Sequence, residues 1–417
     1  MDEIIDDLIN ANCIKEGNFK LKNGEYSKYY FDMKNLVSHP KLLSKIGDEI
    51  YLDFIKNTID SNNDKKIRIC GVPLGGLPIA TYISTKYNIP MIMIRDKVKN
   101  YGTQKQIEGE YNDNDYCIVI EDVITTGGSV RDSLEILKGK LNVISICAVL
   151  NRSNIKIIKT NGDNGDNGDN KVNEDNENNG DNKVNVFNII NKSDIIKNKL
   201  NRIIKNKNTR LCFSADIEDP NKVIEILQKI GKNIAICKIH FDIFKFINMN
   251  HMTDFKKQMI KLSYDNNFLI MEDRKFFDIS YIVDKQYEPF KEWIDLVTVH
   301  GLVNNEVLSK ITCGVLLVSD MSNNNYNITD KCIELHKNNK NVLGLITQSN
   351  IKYINLMNFT PGISFSQSNI NDQQYRNIES FNKNSIPDII IIGRGIYNSD
   401  DVLKTVKMLN QKINLIK

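Results

Sequence analysis

A polar tract of low complexity divides this chain into two halves that must each bury a core of their own. From Asn161 the sequence runs N-G-D-N-G-D-N-G-D-N and continues with asparagine, aspartate, glutamate and lysine until about Val184. This composition offers almost no apolar surface to bury, so we interpret the tract as a flexible tether. Its repeated aspartates do not follow the ligand pattern of an EF-hand loop, which ends in a glutamate.

The length of the chain suits two or three domains. With 417 residues, each half is long enough to form a hydrophobic core. We predict a first domain over residues 1–155, a linker over 156–185 and a second domain over 186–417. Isoleucine and lysine recur at helical spacing over 186–207, which predicts one helix at the entrance to the second domain.

Composition and charge narrow the possible partners and compartment. A net charge of +3 gives no reason to expect nucleic acid or an anionic membrane as a partner. The eight cysteines include no C-x-x-C pair, which favours a reducing compartment and neither a disulfide framework nor a zinc site. The acidic N-terminus does not resemble a secretory signal, and no apolar run reaches the roughly 20 residues of a membrane span. We therefore expect a cytoplasmic protein.

The first half has the pattern of an α/β domain. Residues 3–16 are predicted to form an amphipathic helix, and alternating polar and aromatic residues around Asn23 and Gly24 predict a hairpin. Short apolar runs separated by helical or loop segments then predict the strands of a parallel sheet. These runs cover residues 67–70, 91–94, 116–120 and 143–150.

The third run leads into a loop with the chemistry of a phosphorylated-sugar site. Glu121 and Asp122 end the strand, where they can accept hydrogen bonds from ribose hydroxyls. The glycines that follow let backbone N–H groups approach a phosphate, and the next helix points its N-terminus at the same place. The alternative is an ordinary glycine-rich turn after a strand. It is the weaker interpretation, because the paired acids and the hydroxyl-rich loop occur together. The loop residues are Thr125, Thr126, Gly127, Gly128 and Ser129.

This loop resembles the phosphoribosyl-pyrophosphate motif of type I phosphoribosyltransferases, and its surroundings resemble the orotate member of that family. The resemblance extends to residues 19–24 with 29–31, 70–73 with 77–78, 95–109 and 151–152. It implies that Lys22, Tyr30, Phe31 and Arg152 hold orotate. It also implies that residues 121–129 hold the ribose 5-phosphate and that Arg95 and a catalytic Lys99 meet the pyrophosphate. Mg²⁺ is implied as a cofactor held mainly by the substrate pyrophosphate.

One residue departs from that family in the mobile loop. The family usually has a second basic residue directly after the arginine, whereas this chain has Asp96 followed by Lys97. The roles of Asp96 and Lys97 are therefore left open, while Lys99 keeps its assignment.

The second half predicts a (β/α)8 barrel. Eight apolar runs follow Thr209, with segments long enough for helices between most of them. Polar residues cluster just after these runs, and a barrel would bring them to the rim formed by the C-terminal ends of its strands. They are Ser214, Asp216, Lys238, Asp273, Lys275, His300, Ser322, Pro361, Gly362, Gly393 and Arg394.

The most distinctive of these clusters has the spacing D-x-K-x-x-D. Asp273, Lys275 and Asp278 follow the apolar run 268–271, which reads as a buried strand. Flanking carboxylates favour a charged ammonium group, so we predict that Lys275 acts as a proton donor. Taken alone, the same spacing is also compatible with a solvated charge cluster.

The wider pattern resembles orotidine 5′-phosphate decarboxylase. It combines E-D-R-K-F-x-D-I with Lys238 in K-x-H upstream and T-P-G-I downstream. The resemblance implies Asp216 and Lys238 on ribose hydroxyls, Ser322 on the pyrimidine, and Asp278 in the site of the other subunit of a homodimer. It leaves His240 and His300 as structural residues, and Ile282 replaces a threonine found in many relatives. The remaining substrate contacts that it implies are Ser214, Pro361, Gln373, Tyr375, Gly393 and Arg394.

Together the two resemblances point to the bifunctional uridine 5′-monophosphate synthase family. We expect a type I phosphoribosyltransferase fold, in which helices flank a parallel sheet, followed by a TIM barrel. The expected reactions are orotate plus phosphoribosyl pyrophosphate to orotidylate and pyrophosphate, and then decarboxylation to UMP without a cofactor. Two alternatives remain: a metal-dependent decarboxylase or aldolase for sugar phosphates in the barrel, and a regulatory nucleotide sensor in the first domain.

Overall fold

The computed structural model describes residues 2–21, 24–95, 105–153, 157–159, 183–321, 324–364, 376–377, 381–382 and 385–416. These residues divide into two units that do not follow chain order. One unit comprises Met1–Ile14 and Phe31–Asn191, and the other comprises Lys15–Tyr30 and Lys192–Lys417. The predicted boundaries at 155 and 185 therefore differ from these units in two places, a short N-terminal segment and the residues before Asn191.

The first unit is built on a seven-stranded sheet, which includes the four strands that the apolar runs of the first half predicted. Its strands are β3 (Ile67–Gly71), β4 (Met91–Ile94), β5 (Ile107–Glu108), β6 (Asp115–Ile124), β7 (Leu141–Asn151), β8 (Ile157–Lys159) and β9 (Lys183–Asn191). Their order in the sheet is β5-β4-β3-β6-β7-β9-β8, and the two edge strands β5 and β8 pair antiparallel with their neighbours, whereas the other pairs are parallel. Two earlier strands, β1 (Ile14–Lys20) and β2 (Tyr26–Phe31), form a separate pair.

Helices flank this sheet, which explains why its central strands are buried almost continuously. The helices are α1 (Asp2–Asn10), α2 (Pro40–Ile50), α3 (Lys56–Asp60), α4 (Gly76–Tyr87) and α5 (Gly128–Leu137). A 3-10 segment covers Met33–Ser38, and a π-helical turn covers Tyr51–Ile55. The first helix ends earlier than predicted because Asn12 takes a left-handed φ of 55°, a common way for a helix to stop.

The segment after the polar tract begins as a strand, which corrects the prediction of one helix over 186–207. Strand β9 pairs in parallel with β7, from Ser145 opposite Asn185 to Asn151 opposite Asn191. Val184 and Val186 are buried in the core of the first unit. Pairing with β9 satisfies the backbone N–H and C=O groups along the open edge of β7, which a helix over the same residues could not do. Tertiary context therefore outweighs the local helical propensity of this segment. The helix itself, α6, covers Lys192–Lys207.

The second unit contains a closed eight-stranded parallel barrel, which confirms the predicted TIM barrel. Its strands are β10 (Leu211–Ala215), β11 (Ile236–Ile239), β12 (Leu269–Phe276), β13 (Leu296–His300), β14 (Gly314–Val318), β17 (Val342–Ile346), β18 (Met357–Thr360) and β21 (Ile389–Ile392). They follow one another around the barrel in this order, and β21 closes it by pairing with β10. Short strands outside the barrel are β15 (Asp320–Met321), β16 (Asn324–Asn327), β19 (Ile363–Ser364) and β20 (Arg376–Asn377).

Helices alternate with the barrel strands along the chain, and their apolar faces join the barrel core. They are α7 (Pro220–Ile230), α8 (Met249–Asn266), α9 (Ser280–Tyr287), α10 (Asn305–Ser309), α11 (Thr329–Asn338), α12 (Arg394–Tyr397) and α13 (Val402–Leu415). Short 3-10 segments cover Gly231–Asn233, Phe241–Ile243 and Glu288–Phe290. Among the described residues, no helix is both long and apolar enough to cross a bilayer.

Candidate active sites

The barrel gathers charged side chains from three neighbouring strands around the carboxylate of Asp273. Lys238, near the end of β11, places its Nζ 2.6 Å from Oδ2 of Asp273 and 3.2 Å from Oδ1 of Asp216. Lys275 places its Nζ 2.9 Å from the other oxygen, Oδ1 of Asp273. One buried carboxylate thus lies between two lysines, whereas the sequence pattern predicted one lysine, Lys275, between two carboxylates.

The positions of Asp273 and Lys275 depend on an irregularity in β12. Its pairing with β13 shifts between Glu272 and Phe276, and Lys275 takes a left-handed φ of 54°. Thr298 on β13 bridges this bulge: its Oγ1 donates to Oδ1 of Asp273 at 2.8 Å and accepts from the backbone N–H of Lys275 at 2.9 Å. Bulges of this kind often redirect side chains at active sites.

The electrostatics of this cluster favour ionised groups. Burial disfavours the charged form of Asp273, but the charge of Lys238 outweighs it and, with His240, holds the pKa of that carboxyl well below its usual range. Burial likewise disfavours the charged form of Lys238, yet its two carboxylate partners raise the pKa of that lysine. The site therefore presents an ion-paired network at neutral pH.

Two residues of this network were not assigned from the sequence. His240 was expected to be structural, but its Nε2 lies 3.1 Å from Nζ of Lys238 and 3.3 Å from Oδ2 of Asp273. Thr298 belongs to no recognisable sequence motif, and its contacts with Asp273 and Lys275 become evident only from the bulge in β12. The spacing K-x-H was the available signal for His240, because alternate residues of a strand face the same side.

The outer part of the site contains residues predicted to hold the ribose and phosphate. Ser214 Oγ donates to both carboxylate oxygens of Asp216 at 2.9 Å, which orients that carboxylate toward Lys238. Gly393 lies close to them, since a Cβ there would come within 3.2 Å of the Cβ of Ser214. Arg394 begins α12 directly afterwards, and Pro361 follows β18. Ser322, Gln373 and Tyr375 lie outside the described residues.

Asp278 is not brought to Lys275 within this chain. Its side chain is exposed, and its Oδ1 accepts a hydrogen bond from the backbone N–H of Ile279 at 2.8 Å. Its neighbours Phe277 and Ile279 are large apolar residues that are 61% and 67% exposed. The ring of Phe277 packs on His300 with centroids 4.6 Å apart.

The first unit forms a second site at the end of β6. Glu121 and Asp122 are buried, and burial raises the pKa of Glu121 to about 9, with a further contribution from its contact with Asp122. Gly127 has a left-handed φ of 77° and lies just before α5. Three hydroxyl residues around this helix start are exposed to solvent, as a phosphate loop requires: Thr125, Thr126 and Ser129.

A glycine-rich turn lies directly against these acids. A Cβ on Gly75 would come within 1.9 Å of Oδ2 of Asp122, and one on Gly76 within 2.1 Å of the carbonyl oxygen of Ile120. The turn can therefore approach the end of β6 only with glycine at both positions. Residues 70–73 and 77–78, which are part of the resemblance to type I phosphoribosyltransferases, lie on either side of this turn.

The structure brings together only part of the predicted orotate and pyrophosphate set. The guanidinium of Arg152 lies 5.1 Å from the ring centroid of Phe31, so these two predicted orotate contacts are adjacent. Tyr30 is 46% exposed. The Nε of Arg95, by contrast, lies 2.9 Å from Oε1 of Glu108, a partner that the sequence did not suggest. Lys22, Asp96, Lys97 and Lys99 lie outside the described residues.

Comparisons with known proteins match both halves of the chain. The orotidine 5′-phosphate decarboxylase / HUMPS family model matches residues 209–409, and the phosphoribosyl transferase domain model matches residues 34–177. The uridine 5′-monophosphate synthase of Bos taurus is 28% identical over 464 residues, covering 97% of this chain and 95% of that protein. The one from Naegleria gruberi is 28% identical and covers 97% and 94%. The orotate phosphoribosyltransferase of Pyrococcus horikoshii is 40% identical over 152 residues, covering 36% of this chain and 79% of that protein.

Proposed function

The chain belongs to the uridine 5′-monophosphate synthase family, and on that premise we propose which of its residues perform the two reactions. It is a bifunctional enzyme that joins orotate to phosphoribosyl pyrophosphate and then decarboxylates orotidylate to UMP. The observation that carries the assignment of roles is the barrel site, in which Asp273 lies between two lysines at the C-terminal ends of the strands.

The transferase roles follow from the loop after β6. Exposed hydroxyls and backbone N–H groups of residues 125–129 bind the 5-phosphate, helped by the N-terminus of α5. Asp122 and Glu121 accept from the ribose hydroxyls, and Arg152 with Phe31 holds orotate. Arg95 exchanges its partner Glu108 for the leaving pyrophosphate, and Lys22, Tyr30 and Lys99 complete the set. The chemistry is mainly positioning of the reactants and neutralisation of charge.

Magnesium fits this site as a cation carried by the substrate. The described residues include no group of three or more acidic, histidine or cysteine side chains able to hold a metal by themselves. Asp122 lies in a narrow space beneath Gly75, so the backbone of the turn and a carboxylate already approach one another closely. As the family resemblance implies, we assign most of the Mg²⁺ ligands to pyrophosphate oxygens and water, because a small hard cation keeps several of its waters. When bound, the cation neutralises charge on the leaving group.

Decarboxylation relies on the network around Asp273. The bond between C6 and the carboxylate breaks, CO₂ leaves, and the electron pair stays on C6. The ammonium group of Lys275 stabilises that charge and then donates a proton to C6. Asp273 aligns Lys275 and crowds the departing carboxylate. It is held in place for this because its two oxygens contact Lys238, Lys275 and Thr298.

The outer residues of the barrel site hold the remainder of orotidylate. Lys238 and Asp216 bind ribose hydroxyls, and Ser214 orients Asp216. Ser322 contacts the pyrimidine, while Pro361, Gln373, Tyr375, Gly393 and Arg394 enclose the phosphate. Binding energy from this remote phosphate then contributes to the chemical step.

We propose a homodimer in which Asp278 completes the partner's decarboxylase site. This carboxylate is exposed and lies among large exposed apolar side chains, which is the composition expected of a surface that another chain covers. Those side chains are Phe277, Ile279, Tyr281 and Leu302. The buried free thiols of all eight cysteines agree with a reducing compartment, which we propose to be the cytoplasm.

Two substitutions test these roles in opposite directions. In purified protein, Lys275→Ala should abolish decarboxylation of added orotidylate and leave orotate-dependent release of pyrophosphate intact. Arg152→Ala should impair pyrophosphate release and leave decarboxylation intact. Decarboxylation by Lys275→Ala would contradict the role of Lys275, and absence of pyrophosphate release from the unmodified protein would favour a nucleotide-sensing role for the first unit.

A further inference from the structure

The residues directly after the polar tract belong to the sheet of the first unit. Strand β9, which follows the tract in sequence, lies between β7 and β8, both of which precede it. It pairs in parallel with β7 along residues 145–151 and antiparallel with β8 along residues 157–159. The predicted linker therefore joins two strands of one sheet, and the chain on both of its sides contributes to the first unit.

Asparagine side chains connect the end of β9 to the end of β7. Asn151, the last residue of β7, is 1% exposed and donates from its Nδ2 to Oδ1 of Asn188 at 3.4 Å. Asn188 donates from its own Nδ2 to Oδ1 of Asn191 at 3.2 Å and to the carbonyl oxygen of Ile190 at 3.1 Å. Asn191 is also the backbone partner of Asn151. The three amides thus form a continuous hydrogen-bonded chain across the two strands.

Asn151 also fixes the backbone around Arg152. Its Oδ1 accepts hydrogen bonds from the backbone N–H and from the hydroxyl of Ser153, both at 3.2 Å. A side-chain oxygen that accepts from the N–H two residues later closes a turn, and Arg152 is the central residue of this one. The backbone N–H of Arg152 donates to the carbonyl oxygen of Ile124 at 2.9 Å. Arg152 is therefore held by β6 on one side and by Asn151 on the other.

The residue held in this way is one of the predicted orotate contacts. The guanidinium of Arg152 lies 5.1 Å from the ring centroid of Phe31, the other predicted contact, and both belong to the first unit. A guanidinium binds a carboxylate only in a narrow range of orientations, so its backbone must be placed accurately. Small displacements of a positioning group weaken substrate binding strongly.

We propose that Asn188 and Asn191 of β9 are positioning residues for the transferase reaction, which act through Asn151 to hold Arg152 where it binds orotate. The inference rests on the function proposed above, in which Arg152 holds orotate. It makes the transferase reaction depend on residues that follow the polar tract, beyond the predicted end of the transferase domain at residue 155. Decarboxylation at the barrel site does not depend on these asparagines.

The test uses the full chain with Asn188→Ala and measures the two half-reactions separately. We expect the KM for orotate to rise about three- to tenfold, the effect of losing roughly one hydrogen bond. The KM for phosphoribosyl pyrophosphate and the kcat for added orotidylate should stay within about twofold, since the loop after β6 and the decarboxylase site keep their contacts. Asn185→Ala is the matched control, because Asn185 is exposed on the same strand and lies opposite Ser145, away from Arg152. It should leave all three quantities unchanged.

A double variant tests whether Asn188 acts through Asn151. Asn151→Ala also removes the turn around Arg152 and should raise the KM for orotate more than Asn188→Ala does. Combining the two substitutions should add little to the effect of Asn151→Ala alone, because residues in one hydrogen-bonded chain are not independent. Effects on the orotate KM that multiply in the double variant would overturn the proposed connection.

Asn188→Ser is the second variant if Asn188→Ala does not fold. It keeps a polar group at this half-buried position but is too short to reach Asn151, so the same rise in orotate KM is expected. An unchanged orotate KM in the folded variant would overturn the proposal, and so would equal rises in the KM of orotate and of phosphoribosyl pyrophosphate. An Arg152→Ala protein with normal orotate KM, or an unmodified protein without transferase activity, would instead reject the proposed function.

Discussion

Lys275 reaches Asp273 from a left-handed backbone conformation. Its φ is 54°, and its Nζ lies 2.9 Å from Oδ1 of the carboxylate. Residues other than glycine rarely adopt this region, and such strain is concentrated at functional sites. The positive φ of Lys275 and its ion pair with Asp273 therefore act together to place the ammonium group at the mouth of the barrel.

This relationship predicts opposite effects of Lys275→Gly on stability and activity. Lys275→Gly should increase the free energy of unfolding by about 1 kcal/mol relative to Lys275→Ala, because glycine adopts a positive φ without a steric penalty. Both variants should decarboxylate at least about 10³-fold more slowly than the unmodified protein. Denaturant unfolding and an orotidylate assay measure the two quantities. A Lys275→Gly protein less stable than Lys275→Ala would argue against strain at this residue.

Thr298→Val should slow decarboxylation without unfolding the barrel. Valine has nearly the same shape but loses the hydrogen bonds to Asp273 and to the backbone of Lys275. We expect kcat to fall on the order of 10- to 100-fold. Thr312→Val is a matched control, since Thr312 is also buried and hydrogen-bonded, but to the hydroxyl of Tyr287. A similar loss of kcat in both variants would show that the effect is general destabilisation.

Gly75→Ala should damage the transferase reaction alone. Its Cβ would lie within 1.9 Å of Oδ2 of Asp122, so the turn or the carboxylate must move. We expect the apparent affinity for phosphoribosyl pyrophosphate to fall about tenfold or more. Decarboxylation by the same protein is the internal control. Normal pyrophosphate release would mean that the turn tolerates a side chain and does not need its close approach to β6.

The buried Glu272 should make stability depend on pH. Burial raises its pKa to about 8, although the backbone N–H of Phe241 donates to the carboxylate. Its folded-state pKa is above the unfolded value, so its stabilising contribution is complete below about pH 4.5 and is lost as pH rises toward 8. The loss should amount to a few kcal/mol. Glu272→Gln should remove this component, and identical pH profiles of unfolding for the two proteins would contradict the shift.

Mixed dimers should test whether Asp278 acts across subunits. Lys275→Ala and Asp278→Asn proteins should each be nearly inactive as decarboxylases. After mixing and subunit exchange, heterodimers would contain one site with both substitutions and one with neither, so about a quarter of normal activity should return. No recovery after demonstrated exchange would place Asp278 outside the partner's site.

The sequence predicted those features that depend on chain-local patterns. Apolar runs identified the parallel strands, and the charged residues after them lie at the ends of those strands, as with Lys238 and Asp273. Features that depend on distant pairing were missed. Strand β9 forms because β7 offers an edge, and the position of Lys275 depends on a hydrogen bond that its backbone N–H donates to Thr298 on another strand. The burial of Lys28 against Asp295 joins residues 267 positions apart, which no local pattern reveals.

The most direct test of the whole account is product analysis with the purified, unmodified protein. It would be supplied with orotate, phosphoribosyl pyrophosphate and Mg²⁺, and the nucleotides formed would be separated over time. We predict that UMP accumulates in step with released pyrophosphate and CO₂. Accumulation of orotidylate without UMP would contradict the role of the Asp273–Lys275 site, and formation of no nucleotide, although added orotidylate is decarboxylated, would contradict the transferase assignment.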